Sequence, residues 1–296
     1  MTTDERNFRS SYYEKVGCHG VEEKKSLNKL LQDGIRDRNK LKQFCISYTV
    51  PADQRSLLWG LIMGILPLHK SSTDYIRDQL RQVYEDLLRA VSVMRYIDPT
   101  KPKEIVMHTM WQLENNRLLH NNAGPPVDDS HFIEIVRVLL PLFDDNVETY
   151  CIAKEFYQYT RELKKESAKL KELTQTLLRR EDIALFYHLD QLGIFSSNNN
   201  LLDNWYTTSF AGIIRETVLV KIWDKICGGA RKIVVFLFLE MVKDSQIKQR
   251  ISICSAQNEF KILIETALQV NDLDAVIVNR AIKSWQSNNS EIEYAH

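Results

Sequence analysis

The chain has 296 residues, of which 44% are hydrophobic and 26% charged, enough apolar material to fill one large domain or two packed lobes. Its 39 basic residues balance 39 acidic ones, so no overall field draws nucleic acid or acidic lipid towards it. Ten glycines and seven prolines are few for this length, which argues against a turn-rich β protein and for long helices.

Five cysteines, Cys18, Cys45, Cys151, Cys227 and Cys254, are scattered and form no CxxC pair. That is the pattern of reduced cytosolic thiols, not of disulfides or a zinc site. The opening "MTTDERNFRS" is polar and carries no secretory pattern. The most apolar run, "IVVFLFL" (233–239), stops at Glu240, well short of the roughly 20 residues that span a bilayer. A soluble, cytoplasmic chain without membrane insertion is the expectation.

Residues 1–24 read as a lead-in, with Tyr12 and Tyr13 available to pack on the domain. "SLNKLLQDG" (26–34) predicts a short helix stopped at Gly34. After Pro51, Asp53 is placed to cap a helix whose apolar positions are Leu57, Leu58, Leu61 and Ile62; Pro67 comes after its end. The longest uninterrupted pattern runs from 73 to 97. Ile76, Leu80, Val83, Leu87, Ala90, Met94 and Ile97 step by four and three alternately, a heptad stripe, and Tyr84, Leu88 and Val91 widen it to one side.

"DPTKPKE" (98–104) breaks that helix, and "HNNAGPPVDD" (120–129) is a loop by composition. Helices are predicted at 130–143 and 147–160, then a basic amphipathic stretch over 161–180, a loop at 196–200, and helices near 202–212, 215–226, 230–250 and 257–269. A last helix carries Trp285. "KIVVFLFLEMVK" (232–243) has β-propensity but no second run to pair with, so it is read as a buried helix. The fold class predicted is all-α, with lobes 25–165 and 166–296.

No phosphate loop, dinucleotide fingerprint, nucleophile elbow, HExxH or CxxC is present, and the seven histidines never pair at metal-ligand spacing. No cofactor and no metal are expected. "KKESAKLK" (164–171) is basic, but Glu166 and its neighbouring glutamates make it read as a solvated helix face.

Two stretches resemble a known family. "RSLLWGLIMGILP" (55–67) resembles the Arg-x-x-x-Trp opening of TBC domains, here Arg55 and Trp59. Over 188–242 come, in that family's order, Trp205-Tyr206, Ile222-Trp223-Asp224 and Gly228-Gly229, with "DDNVETYCI" (144–152) lying between the two stretches. The resemblance covers about residues 25–285 and implies a two-lobed helical domain of the kind that activates Rab GTPases. Such domains lend their GTPase an arginine, from Ile-x-x-Asp-x-x-Arg, and a glutamine, from Tyr-x-Gln.

Here Trp111-x-x-Glu114-x-x-Arg117 falls at the first motif, so Arg117 holds the finger position and Glu114 can pair with it at i, i+3. Asp128-Asp129-Ser130 stands where the second should be, after a shortened connection containing "NNAGPP". Acidic side chains there would repel a nucleotide's phosphates, so Arg117 is read as a remnant.

A short TBC chain without the glutamine motif resembles the non-catalytic members that serve in the tuberous sclerosis complex. That resemblance implies direct binding of the hamartin coiled coil, with tuberin and Rheb reached through the complex, and a place at the lysosomal surface when assembled. A lone-finger Rab GTPase activator is the alternative, and a Rab effector without catalysis a weaker third. Helix 73–97 is the candidate partner face, through Ile76, Leu80, Val83, Tyr84, Leu87, Leu88, Val91 and Met94. A helix buried on all sides in a large domain would show the same stripe. Arg55, Trp59, Trp205, Trp223 and Asp224 are read as structural, the charged pair needing partners beside buried indoles.

Overall fold

The computed structural model of the chain describes residues 20–97, 100–118, 127–196, 200–268 and 272–293. Tyr12, Tyr13, Cys18 and most of the loops expected at 120–129 and 196–200 lie outside these. The described residues form fourteen α-helices: α1 (Gly20–Gln32), α2 (Arg38–Ser47), α3 (Arg55–Met63), α4 (Thr73–Val93), α5 (Lys103–Glu114), α6 (Val127–Leu139), α7 (Asn146–Glu181), α8 (Ile183–Gln191), α9 (Leu201–Thr207), α10 (Glu216–Gly228), α11 (Ile233–Lys243), α12 (Ser245–Ile251), α13 (Gln257–Ala267) and α14 (Leu273–Glu293). The only β-pairing among them is a single bridge between Ile35 and His69. The all-α reading stands.

Several boundaries move for local reasons. α1 begins at Gly20, inside the expected lead-in, and ends two residues before Gly34. Asp53 does not cap α3: it sits in a 3-10 turn, Ala52–Gln54, and pairs with Lys24 at 2.6 Å. The segments expected at 147–160 and 161–180 are one helix of 36 residues, about 54 Å long at roughly 1.5 Å per residue. Asp145 starts it by accepting the Val147 N–H at 2.7 Å. Conversely, the helix expected over 230–250 is two. Asp244 leaves helical geometry and caps α12 through the N–H groups of Gln246 and Ile247.

α7 positions the rest. Tyr150, Ala153, Phe156, Tyr157, Thr160, Leu163, Leu170, Thr174 and Leu177 form its buried side, with α3, α4, α6, α8, α9 and α11 packed against it. It also runs straight through the lobe boundary expected at 165/166, and the main core takes residues from both sides of that point. A smaller core lies at the N-terminal end, around Leu27, Leu41, Phe44, Leu58 and Leu61. The run at 233–242 is a helix buried at every position but Glu240, as its composition predicts. α2 crosses α10 so closely that a Cβ on Gly228 would stand 2.8 Å from Ile46 Cγ1 and 2.9 Å from the Lys42 carbonyl oxygen. The next residue, Gly229, turns the chain at φ 110°, which side-chain-bearing residues rarely adopt.

Candidate functional site

The two family-like stretches meet at one carboxylate. Asp224, on α10, accepts from Arg55 Nε at 3.0 Å and Arg55 Nη2 at 3.1 Å, and from Trp59 Nε1 at 2.9 Å. Arg55 also donates to the Val50 carbonyl at 2.8 Å. Burial pushes the Asp224 carboxyl up to about 6, and Arg55 and Trp59 keep it from rising further, so it stays ionised at neutral pH. Around it Trp223 stacks on Phe156 at 4.2 Å and Trp59 lies 6.5 Å from Trp223. The Trp223 indole donates to the Ser209 carbonyl at 3.0 Å, clamping a turn in which Ser209 and Phe210 both have positive φ. Trp205, just before that turn, is buried among Phe210, Phe238 and Phe260. All five residues read as structural are therefore placed inside the fold. Cys151 and Cys227 are buried too, and desolvation pushes their thiols up, to about 11 for Cys151 and well above the ordinary value for Cys227.

The finger position is built differently from the sequence expectation. Arg117 is exposed just beyond α5, and its guanidinium lies over the Trp111 ring, 5.3 Å from the centroid. Glu114 turns instead to α7, accepting the Tyr150 hydroxyl at 2.8 Å and the Lys154 ammonium at 2.5 Å. These contacts replace the Glu114–Arg117 pair expected from i, i+3 spacing. Desolvation, with the carboxylate of Glu114 beside it, pushes the Tyr150 hydroxyl far up, so it stays a proton donor. Tyr150, Lys154 and the ring partner Trp111 carried no mark as partners in the sequence, because they meet only when α5 packs on α7. Ser130 is half-buried on α6, and nothing is described of the Asp128 side chain beside it.

α4 presents the candidate partner face, and its two sides differ in burial. Thr73 and Val91, its two buried residues, are 18 positions apart, five turns at about 3.6 residues each, and so share one line that faces the core. Tyr84, Leu88 and Leu80 lie near that line, half-buried against the main core, with Tyr84 5.7 Å from Tyr150. Ile76 packs against the N-terminal core, and Leu87 is half-buried. At about 100° per residue, Val83, Ala90 and Met94 fall on the far flank, and Tyr75 and Val93 further round. Val83 and Met94 are each 49% exposed, Tyr75 66% and Val93 76%. The outward side is thus Val83 and Met94; Val91 is fully buried and does not belong to an open face. Among the described residues, the stronger contacts of α4 are with α5, α7 and the short turn before it.

This architecture has known counterparts. The Ypt/Rab-GAP domain of Gyp1p superposes with a TM-score of 0.56 at 13% identity, covering 90% of this chain and 99% of its own. The Chlamydomonas flagellar RabGAP TBC domain gives 0.54 at 14% identity, over 93% and 92%. The fold is that of a TBC domain. In sequence, TBC1 domain family member 7 of Homo sapiens is 34% identical over 97% of both chains, and that of Danio rerio 35% identical over 82% of this chain and 83% of its own. The Bos taurus protein of the same name is 34% identical over 97% of both. No protein-family model matches the chain. The chain belongs to the TBC domain family, with relatives named TBC1 domain family member 7 along nearly its whole length.

Proposed function

We propose that the chain is a non-catalytic TBC subunit that presents the outer flank of α4 to the coiled coil of hamartin, within the tuberous sclerosis complex that stimulates Rheb GTP hydrolysis and restrains mTOR signalling. The observation that carries this reading is the α4 stripe itself: a heptad pattern whose inner line seals the core while Val83 and Met94 remain half exposed. A coiled coil laid along that flank adds a helix to a bundle and covers i, i+3, i+4 anchors. The motif positions agree with it, since the glutamine motif is replaced by Asp128-Asp129-Ser130 and Arg117 rests its guanidinium on Trp111. By the same reading the chain is cytoplasmic and reaches the lysosomal surface through its complex; no helix among the described residues is long and apolar enough to cross a membrane.

A second reading, a Rab GTPase activator with Arg117 as a lone finger, draws on the exposure of Arg117 in a fold shared with Rab-GAP domains. Affinity purification of the tagged chain from cytosol separates the two. Hamartin and tuberin recovered at constant ratio, with or without GDP–aluminium fluoride, and lost on Val83→Glu with Met94→Glu, support the scaffold. A Rab captured only with aluminium fluoride and lost on Arg117→Ala replaces it with the second reading.

A further inference from the structure

The stretch between α12 and α13, Ser252 to Ala256, belongs to neither helix, and all of it but Cys254 is exposed. Ile253, at 82%, is the most exposed large hydrophobic side chain among the described residues. Lys248 and Arg250, in the last turn of α12, are exposed as well. The chain therefore reads Lys-Gln-Arg-Ile-Ser-Ile over 248–253, a serine with cations four and two residues before it and an apolar residue directly after it. A basophilic protein kinase reads that order, pairing acidic side chains of its own cleft with the cations. Ser167 also follows two lysines, but it lies in the middle of α7, where drawing the chain straight would break the helix on both sides. Ser252 lies where a helix of seven residues has just ended, so straightening the chain around it disturbs about one turn.

The fold ties this serine to a junction between helices. The Ser252 N–H donates to the Lys248 carbonyl at 3.1 Å, so the two side chains stand one turn apart on one face. Lys248 reaches across to Asp182, where α7 meets α8, at 2.5 Å, and His188 Nε2 lies 2.9 Å from the Ile251 carbonyl oxygen. Those two contacts join α12 to α8. We propose that Ser252 is a phosphorylation site for a basophilic protein kinase, and that its phosphate takes Lys248 from Asp182 and loosens α12 from α8. The γ-phosphorus of ATP bonds to Ser252 Oγ as its bond to the β,γ-bridging oxygen breaks; ADP leaves, and the hydroxyl proton passes to the kinase's catalytic carboxylate. Ser252 Oγ then no longer donates to the Gln249 carbonyl, a bond of 2.7 Å in the unmodified chain. The phosphate carries about two negative charges to a helix C-terminus, where the free carbonyls repel it, and Lys248 one turn back pairs with it better than with a single carboxylate. The site shares no residue with α4, so it stands or falls apart from the docking of a coiled coil.

The test uses the full chain, incubated with magnesium ATP and the catalytic fragment of protein kinase C, and tandem mass spectrometry locates the phosphate. It is expected on Ser252 and is absent from Ser252→Ala. The initial rate falls at least about tenfold in Arg250→Gln and stays within about twofold in Ser167→Ala, with circular dichroism unchanged in both. The phosphorylated chain melts about 1–4 °C below the unmodified one. That difference shrinks by at least about half in Asp182→Asn, which can still cap α8 but leaves Lys248 no carboxylate to lose. Phosphate found only at other residues, no incorporation at all, or a wild-type rate in Arg250→Gln overturns the site. Equal melting of the two forms, or an undiminished difference in Asp182→Asn, overturns its coupling to α8.

Discussion

Asp224 takes three hydrogen bonds on two oxygens at the bottom of the fold, and each donor comes from the distant α3. Replacing it by Asn keeps the volume but leaves the Arg55 guanidinium buried without a counter-charge, a change that costs about 3–5 kcal/mol. Urea unfolding of Asp224→Asn is expected to show that loss with an unchanged m-value, and a loss below about 1 kcal/mol would mean that Arg55 finds another acceptor. That Arg55 and Asp224 each need a partner is legible in the sequence, because charged groups beside buried indoles cannot stay bare. Their being each other's partner requires closure of a loop of 169 residues, which no local pattern encodes. Glu114 makes the complementary point. Its i, i+3 neighbour Arg117 was the partner a helical pattern offers, yet Tyr150 and Lys154 take the carboxylate once α5 lies on α7.

At the scale of the element, α4 was recognisable from periodicity alone, and its extent changed little, since Thr73 to Val93 falls within the expected 73–97. What periodicity could not supply was phase. A stripe that runs from Ala90 through Val83, Leu87 and Val91 to Leu88 spans about 160° of the helix at about 100° per residue, and only the neighbours choose which edge is sealed. The packing chooses the Val91 edge, so the two edges respond oppositely to charge. Val91→Glu places a carboxylate in the core and is expected to destabilise by at least about 3 kcal/mol. Val83→Glu adds a charge at a half-exposed position and is expected to stay within about 0.5 kcal/mol of the wild type. Thermal melts of the two variants decide it: equal losses would mean that Val83 is covered by the chain itself and is unavailable to a partner. The same limit explains α7 and α11–α12. Periodicity saw helices in both places, but whether consecutive helices fuse or break depends on caps. Asp145 and Asp244 are ordinary acidic residues in sequence until their side chains are seen to accept backbone N–H groups.

For the molecule as a whole, the C-terminal helix is held by a small number of acidic ties, and these set its response to pH. Arg215, at the start of α10, donates to Asp274 at 2.7 and 2.5 Å and to Asp272 at 2.6 Å, fastening the first turn of α14. Burial raises the Asp274 carboxyl, but Arg215 and the Ala275 N–H outweigh it and leave it below its ordinary value. Asp182, at the junction of α7 and α8, is likewise raised by burial and lowered further by Lys248 and the Leu185 N–H. A carboxylate whose pKa is lower folded than unfolded binds its proton more readily in the unfolded chain. Its stabilisation is therefore present above the unfolded value, about 4, and is lost as the pH falls through the folded one. Because α14 packs on both α10 and α11, its release takes Trp285 and part of the main core with it. The contribution of these two ties is expected to be constant between about pH 5.5 and 7 and to be lost below about pH 4, where the melting temperature falls steeply. Arg215→Gln lowers the melting temperature near neutral pH and makes the acid fall shallower, because the main influence that holds the Asp274 carboxyl down is then gone. A variant with a lower melting temperature but an undiminished acid slope would place the titrating ties elsewhere in the fold.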